Sequence, residues 1–137
     1  MKNEGVVLSS ESYEVLNKNI GKDSISFPSS NSNSIAIFWA TWCGPCKIEM
    51  NRLKASVENG KIPAGAIIAI NPFESKEVSQ KFLATNPYPF TFVDAPLVSQ
   101  KLNISATPTT VYFENEKISS ISSGMSLFGI WRAEFFL

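Results

Sequence analysis

Apolar residues in this chain come in short runs set between polar stretches, and the period of each run predicts an element. Residues 34–40 (Ser-Ile-Ala-Ile-Phe-Trp-Ala) form a nearly unbroken apolar run and read as a buried strand. Residues 45–54 read as the helix that follows it. Residues 64–70 are a second apolar run, closed by Asn71-Pro72, and read as a central strand. Residues 74–84 place Val78, Phe82 and Leu83 at helical spacing and stop before Asn86-Pro87. Residues 90–93 are a strand candidate, and Asp94-Ala95-Pro96 begins a helix with Leu97, Val98 and Leu102 on one face. Residues 109–113 and 117–122 flank the turn Glu114-Asn115-Glu116 and read as an antiparallel hairpin. Ser126 is expected to cap a last helix in which Leu127, Ile130, Trp131 and Phe135 face a sheet.

The first third supports two readings. Residues 12–20 form a helix carrying Tyr13, Leu16 and Ile20, closed by Gly21; or Gly21-Lys22-Asp23 is the turn of a hairpin whose second strand holds Ile25 and Phe27. Residues 29–34 are a polar loop in both cases. Alternation of strands and helices predicts an α/β fold, a mixed central sheet with helices on both faces, over a single domain spanning residues 1–137. No internal repeat is present.

Both cysteines of the chain lie in Trp42-Cys43-Gly44-Pro45-Cys46, between the first buried strand and its helix. Unpaired backbone N–H groups and the positive dipole end of that helix favour a negative charge at Cys43. A thiolate is such a charge, and helix N-termini in C-x-x-C motifs lower thiol pKa values to roughly 3.5–7.5. Cys46, one turn into the helix, is placed to attack a mixed disulfide at Cys43. Cys43 is expected to be the exposed thiol and Cys46 the buried one. A purely structural disulfide across two residues constrains almost no chain. A protein-only zinc site would need carboxylates or a second chain, because the sequence has no histidine. The spacing favours thiol–disulfide exchange.

Composition narrows the partners. Apolar residues make up 44% and aromatic residues 12% of the chain, enough for a core at this length. Twelve basic and twelve acidic residues, neither sign clustered, argue against nucleic acid or an anionic membrane as the main partner. No apolar run approaches the roughly 18 residues of a membrane span. Residues 1–5 lead into no long apolar segment, so no signal peptide is read here, although a leader trimmed earlier would leave the same sequence.

Residues 38–47, Phe-Trp-Ala-Thr-Trp-Cys-Gly-Pro-Cys-Lys, resemble the active-site signature of the thioredoxin superfamily. Residues 106–113, Ala-Thr-Pro-Thr-Thr-Val-Tyr-Phe, resemble the segment in which a cis-proline opens a strand beside the cysteines. Sixty-two positions separate Cys46 from Pro108 and hold two strand and two helix candidates. That excess over small thioredoxins resembles the central strand–helix insertion of the TlpA/ResA-like branch. Residues 19–27 resemble the branch's N-terminal hairpin.

The resemblance implies a redox-active disulfide between Cys43 and Cys46, no cofactor and no metal. It implies a substrate-binding groove from Trp42, Gly44, Pro45, Thr107, cis-Pro108 and Gly124, with Thr107 offering backbone groups to a client. Gly124 is either one low wall of that groove or an ordinary turn glycine. Ile37 stands where many thioredoxins bury an aspartate, and Glu49 matches a carboxylate that the branch places after its second cysteine. Glu49 is therefore a candidate proton donor and acceptor for Cys46, against the alternative of a solvated helix glutamate. Asn51 replaces a helix-kinking proline, and Trp39 is expected in the core.

Gly44-Pro45 resembles the reducing members, so the expected function is disulfide reduction. The expected partners are a disulfide-containing client protein and an upstream thiol donor. A monomer is expected in the cell envelope, attached to membrane only through a tether absent from this chain, with a cytoplasmic location as the alternative. An oxidase or isomerase of envelope proteins and a non-catalytic binding module are the competing readings. A peroxidase is a further one, weakened because no arginine other than Arg52 lies near Cys43.

Overall fold

The structure, a computed structural model, describes residues 5–124. Its central strand β3 (Asn33–Phe38) shows why that stretch is apolar throughout. Ile35 and Ile37, with Trp39 just beyond the strand, pack into one core; Ala36 and Phe38 pack into the other. A strand covered on both faces has no polar side to present. Helices α1 (Gly44–Glu58) and α2 (Lys76–Thr85) cover the first face through Cys46, Met50, Leu53 and Leu83. Helix α3 (Pro96–Lys101) covers the other through Val98, joined by Leu102 just past its end.

Strands β4 (Ile67–Ile70) and β5 (Thr91–Asp94) run parallel to β3, which their helical crossovers require. Strands β6 (Thr109–Glu114) and β7 (Lys117–Ser123) form the expected antiparallel hairpin, with β6 paired to β3. With β1 (Glu11–Val15) and β2 (Ser24–Phe27), the seven-stranded order is β2-β1-β5-β4-β3-β6-β7. The mixed α/β sheet with helices on both faces is as expected. The helix expected from Ser126 lies outside the described residues.

Of the two readings of the first third the hairpin holds, and two apolar positions on the helices need correction. Residues 12–20 are not one helix: β1 pairs antiparallel with β2, Tyr13 opposite Ile25, and only Lys18–Ile20 make a 3₁₀ turn. The physical reason is Asn17. Its buried amide donates to the Phe90 carbonyl at 2.9 Å and accepts from the Phe92 N–H at 3.0 Å, continuing the β1–β5 pairing with a side chain. A helix there would withdraw that amide from two buried backbone groups. Val78 on α2 and Leu97 on α3 are exposed, so each helix buries a narrower stripe than its apolar residues imply. The two short helices meet the sheet through only Leu83 and Ser79, and Val98 and Ser99, as fully buried positions.

Candidate active site

Beyond the end of β3, Trp39 and Ala40 stay buried and the chain then turns outward. The Cys43 N–H donates to the Ala40 carbonyl at 3.1 Å, closing the turn. Cys43 is the N-cap of α1, in extended backbone, and Gly44 and Pro45 fill the first helical positions, where a missing N–H costs nothing. Cys43 Sγ accepts from the Cys46 N–H at 3.2 Å, and the two cysteines are joined in a disulfide. The orphan N–H groups of this helix start therefore face the sulfur that must carry charge once the bond is reduced. Cys46 has no exposed surface. Cys43 keeps only 4%, much less than expected of the outer thiol, because its sulfur folds over the helix start against Cys46.

Strand pairing brings the second motif to the same end of the sheet. Phe38 lies opposite Thr109, so the cis Thr107-Pro108 peptide falls next to the Trp39–Cys43 turn. Gly124, at φ +82°, donates its N–H to the Pro108 carbonyl at 2.8 Å. A left-handed conformation favours glycine there, and the bond ties the end of β7 to the proline. Thr109 Oγ1 donates to the Ala106 carbonyl at 2.7 Å and braces the same loop. An open groove of about 400 Å³ is lined by Trp42, Phe73, Ser105, Ala106 and Thr107. A larger hollow between the Lys18–Ile20 turn and α2 contains none of the redox residues.

Glu49 sits one turn after Cys46 on α1 and is buried at 6% exposure, with an ion pair to Arg52 Nη1 at 3.4 Å. It is not a solvated helix glutamate. Ile37 is fully buried, so no carboxylate approaches the cysteines from that strand position. Asn51 lies within a continuous α1 and accepts from Tyr88 Oη at 3.5 Å.

Sequence reasoning missed the β4–α2 loop. Phe73 stacks on Trp42 with centroids 5.9 Å apart and planes 28° apart, leaving Trp42 66% exposed. Glu74 accepts from the Thr41 N–H and the Thr41 hydroxyl, each at 2.6 Å, and from Asn71 Nδ2 at 2.9 Å. Burial pushes the Glu74 carboxyl upward, but these hydrogen bonds and the charge of Lys47 outweigh it and hold its pKa below the ordinary value. A usable signal was present: loops after parallel strands gather at the carboxyl edge of the sheet, where α/β sites form.

Residues 8–118 match the AhpC/TSA family. A thioredoxin-like protein of Haemophilus influenzae is 26% identical over 113 residues, 77% of this chain and 66% of that protein. Sporulation thiol-disulfide oxidoreductase A of Bacillus subtilis is 25% identical over 107 residues, 74% of this chain and 64% of the relative. The matched stretch thus spans just under two thirds of these curated relatives. A secreted disulfide oxidoreductase of Mycobacterium tuberculosis, homologous to E. coli DsbE, superposes with a TM-score of 0.71 at 17% identity, covering 93% of this chain and 96% of the other. That last likeness is one of fold.

Proposed function

The chain belongs to the AhpC/TSA family and to the TlpA/ResA-like branch of the thioredoxin superfamily; on that premise we propose that it is a thiol–disulfide oxidoreductase that reduces client disulfides through Cys43 and Cys46. The observation that carries this reading is the Cys46 N–H donating to Cys43 Sγ at a helix start, beside an open groove and a cis-proline. In the reduced enzyme the Cys43 thiolate attacks one client sulfur. The client S–S bond breaks, a mixed disulfide forms, and the departing client thiolate takes a proton. Cys46, as thiolate, then attacks Cys43 Sγ, releasing the second client thiol and leaving the enzyme oxidised. A separate thiol protein returns two electrons.

Direction rests on Gly44-Pro45 between the cysteines and on a sequence without histidine, since a histidine there would stabilise the reduced form and raise the potential. A titration against dithiothreitol and glutathione should give a potential nearer the roughly −270 mV of thioredoxin than the roughly −120 mV of DsbA. Insulin should be reduced with dithiothreitol as donor. A potential near the upper value without insulin reduction would favour the oxidase or isomerase reading. Client binding without any exchange would favour the binding module.

Trp42 and Thr107, which line the groove, and Gly44 and Pro45, exposed at the start of α1, are assigned to client docking, while Pro108 and Gly124 hold the loop. We propose a monomer in the cell envelope, as the TlpA/ResA-like resemblance implies. A tether is proposed on the branch resemblance alone; no helix among the described residues is long and apolar enough to cross a membrane.

Glu49 is assigned as the group that exchanges a proton with Cys46. Glu49→Gln keeps the size and the hydrogen-bonding reach but not the charge. It should slow the resolving step about a hundredfold, the lower end of the range for general acid–base catalysis. Stopped-flow pH–rate profiles of disulfide reduction, wild type beside variant, decide the matter. Superimposable profiles would leave proton transfer to water.

A further inference from the structure

We propose that Glu74 is a positioning residue of the redox site, clamping the turn that carries Trp42 and Cys43 to the β4–α2 loop and thereby setting Phe73 against Trp42. The clamp joins segments 33 residues apart, and Thr41 occupies both carboxylate oxygens: its N–H is on Oε1 and its hydroxyl on Oε2. Hydrogen bonds to an ionised acceptor are roughly twice as strong as neutral ones. A solvated glutamate would not spend both oxygens on one residue of another loop.

Asn71 builds the other half. Its Oδ1 accepts from the Phe73 and Glu74 N–H groups, each at 3.1 Å, which folds the loop back on itself. Its Nδ2 donates to Glu74 Oε1 at 2.9 Å and to Ser79 Oγ at 3.2 Å, fixing the carboxylate to the start of α2. Trp42 is then bracketed by two anchors: Thr41 on Glu74, and the Cys43 N–H on the Ala40 carbonyl. Phe73, next to Glu74, is brought against it. An indole 66% exposed has little else to hold one orientation, and the groove beside the disulfide has these two rings as one wall. The carboxylate also adds a fixed negative charge near the Cys43 turn, offset by Lys47 in the first turns of α1.

The inference rests on the reading that Cys43 exchanges with a client across this groove, and the test separates the two. Glu74→Ala removes bonds and charge. Glu74→Gln keeps an acceptor for the Thr41 N–H and an amide that can donate to the Thr41 hydroxyl, so it removes the charge alone. With insulin, Glu74→Ala should raise KM about tenfold and change kcat less than threefold, a loss of uniform binding. Glu74→Gln should restore most of KM. It should lower the midpoint of Cys43 alkylation by about half a pH unit, because an anion near the thiolate is gone while Lys47 stays. Exchange of the Thr41 amide with deuterium should rise about tenfold in Glu74→Ala but not in Glu74→Gln. Thr41→Val, which cuts one bond from the other side, should be non-additive with Glu74→Ala in KM. Wild-type KM, alkylation and Thr41 exchange in Glu74→Ala, or full additivity with Thr41→Val, would overturn the clamp. Wild-type protein inert on insulin would strike the reductase reading alone, since alkylation and amide exchange need no client.

Discussion

Cys46→Ser is expected to end turnover and leave the client covalently bound to Cys43. The first attack survives, because the variant keeps the α1 start and the residue-46 N–H that faces Cys43 Sγ. The second attack is lost, because serine at neutral pH offers no comparable nucleophile at that point. Cys46 is fully buried, so no solution thiol can take its place inside the helix. Only a thiol approaching Cys43 from the groove can release the client. Turnover should fall about a thousandfold or more, roughly 4 kcal/mol in barrier by transition-state arithmetic. Reduced Cys46→Ser mixed with insulin should give an adduct on non-reducing gels, with mass mapping to Cys43 and a single client cysteine. Adding Cys43→Ser should abolish it. A folded Cys46→Ser that forms no adduct would defeat the exchange mechanism, whatever the direction of electron flow.

Trp39→Ala should have the largest effect on stability, although Trp39 lies within the redox signature. Its ring is 1% exposed and packs between Phe92, edge to face at 5.1 Å, and Phe82 at 5.2 Å. Truncating a buried tryptophan costs about 3–5 kcal/mol, from lost transfer energy and the cavity left behind. In a domain of this size that corresponds to a melting temperature lower by roughly 10–20 °C. Trp39→Phe should lose less than half as much, because one ring still fills the space between Phe82 and Phe92. Trp42→Ala, three residues on, should stay within about 0.5 kcal/mol of wild type, as exposed positions do. Thermal melts followed by circular dichroism compare the three directly. Equal losses at Trp39 and Trp42 would contradict their opposite burial.

The elements that carry the chemistry were legible because their signals are local. An apolar run followed by C-x-x-C and a helical stretch specifies strand, turn and helix within about twenty residues. The β6–β7 hairpin follows from two short strands around Glu114-Asn115-Glu116. The cis Thr107-Pro108 bond was expected from resemblance alone, since most X-Pro bonds in folded chains are trans. Residues 12–20 were ambiguous because Tyr13, Leu16 and Ile20 suit a helical stripe, while the deciding group is polar. Asn17 chooses the strand through Phe90 and Phe92, more than seventy residues away.

By itself the sequence determined that two cysteines meet at a helix start and that both faces of a central strand are covered. Those properties depend on neighbours in the chain and on backbone geometry. Tertiary structure alone decided which apolar side chains stay outside, such as Val78 and Leu97, and how little of Cys43 reaches solvent. It also decided that Glu49 is buried against Arg52, that Phe73 stacks on Trp42 and that Glu74 accepts from Thr41. Burial and hydrogen-bond partnership depend on which loops the parallel crossovers bring to one edge of the sheet, and no local period in the chain encodes that meeting.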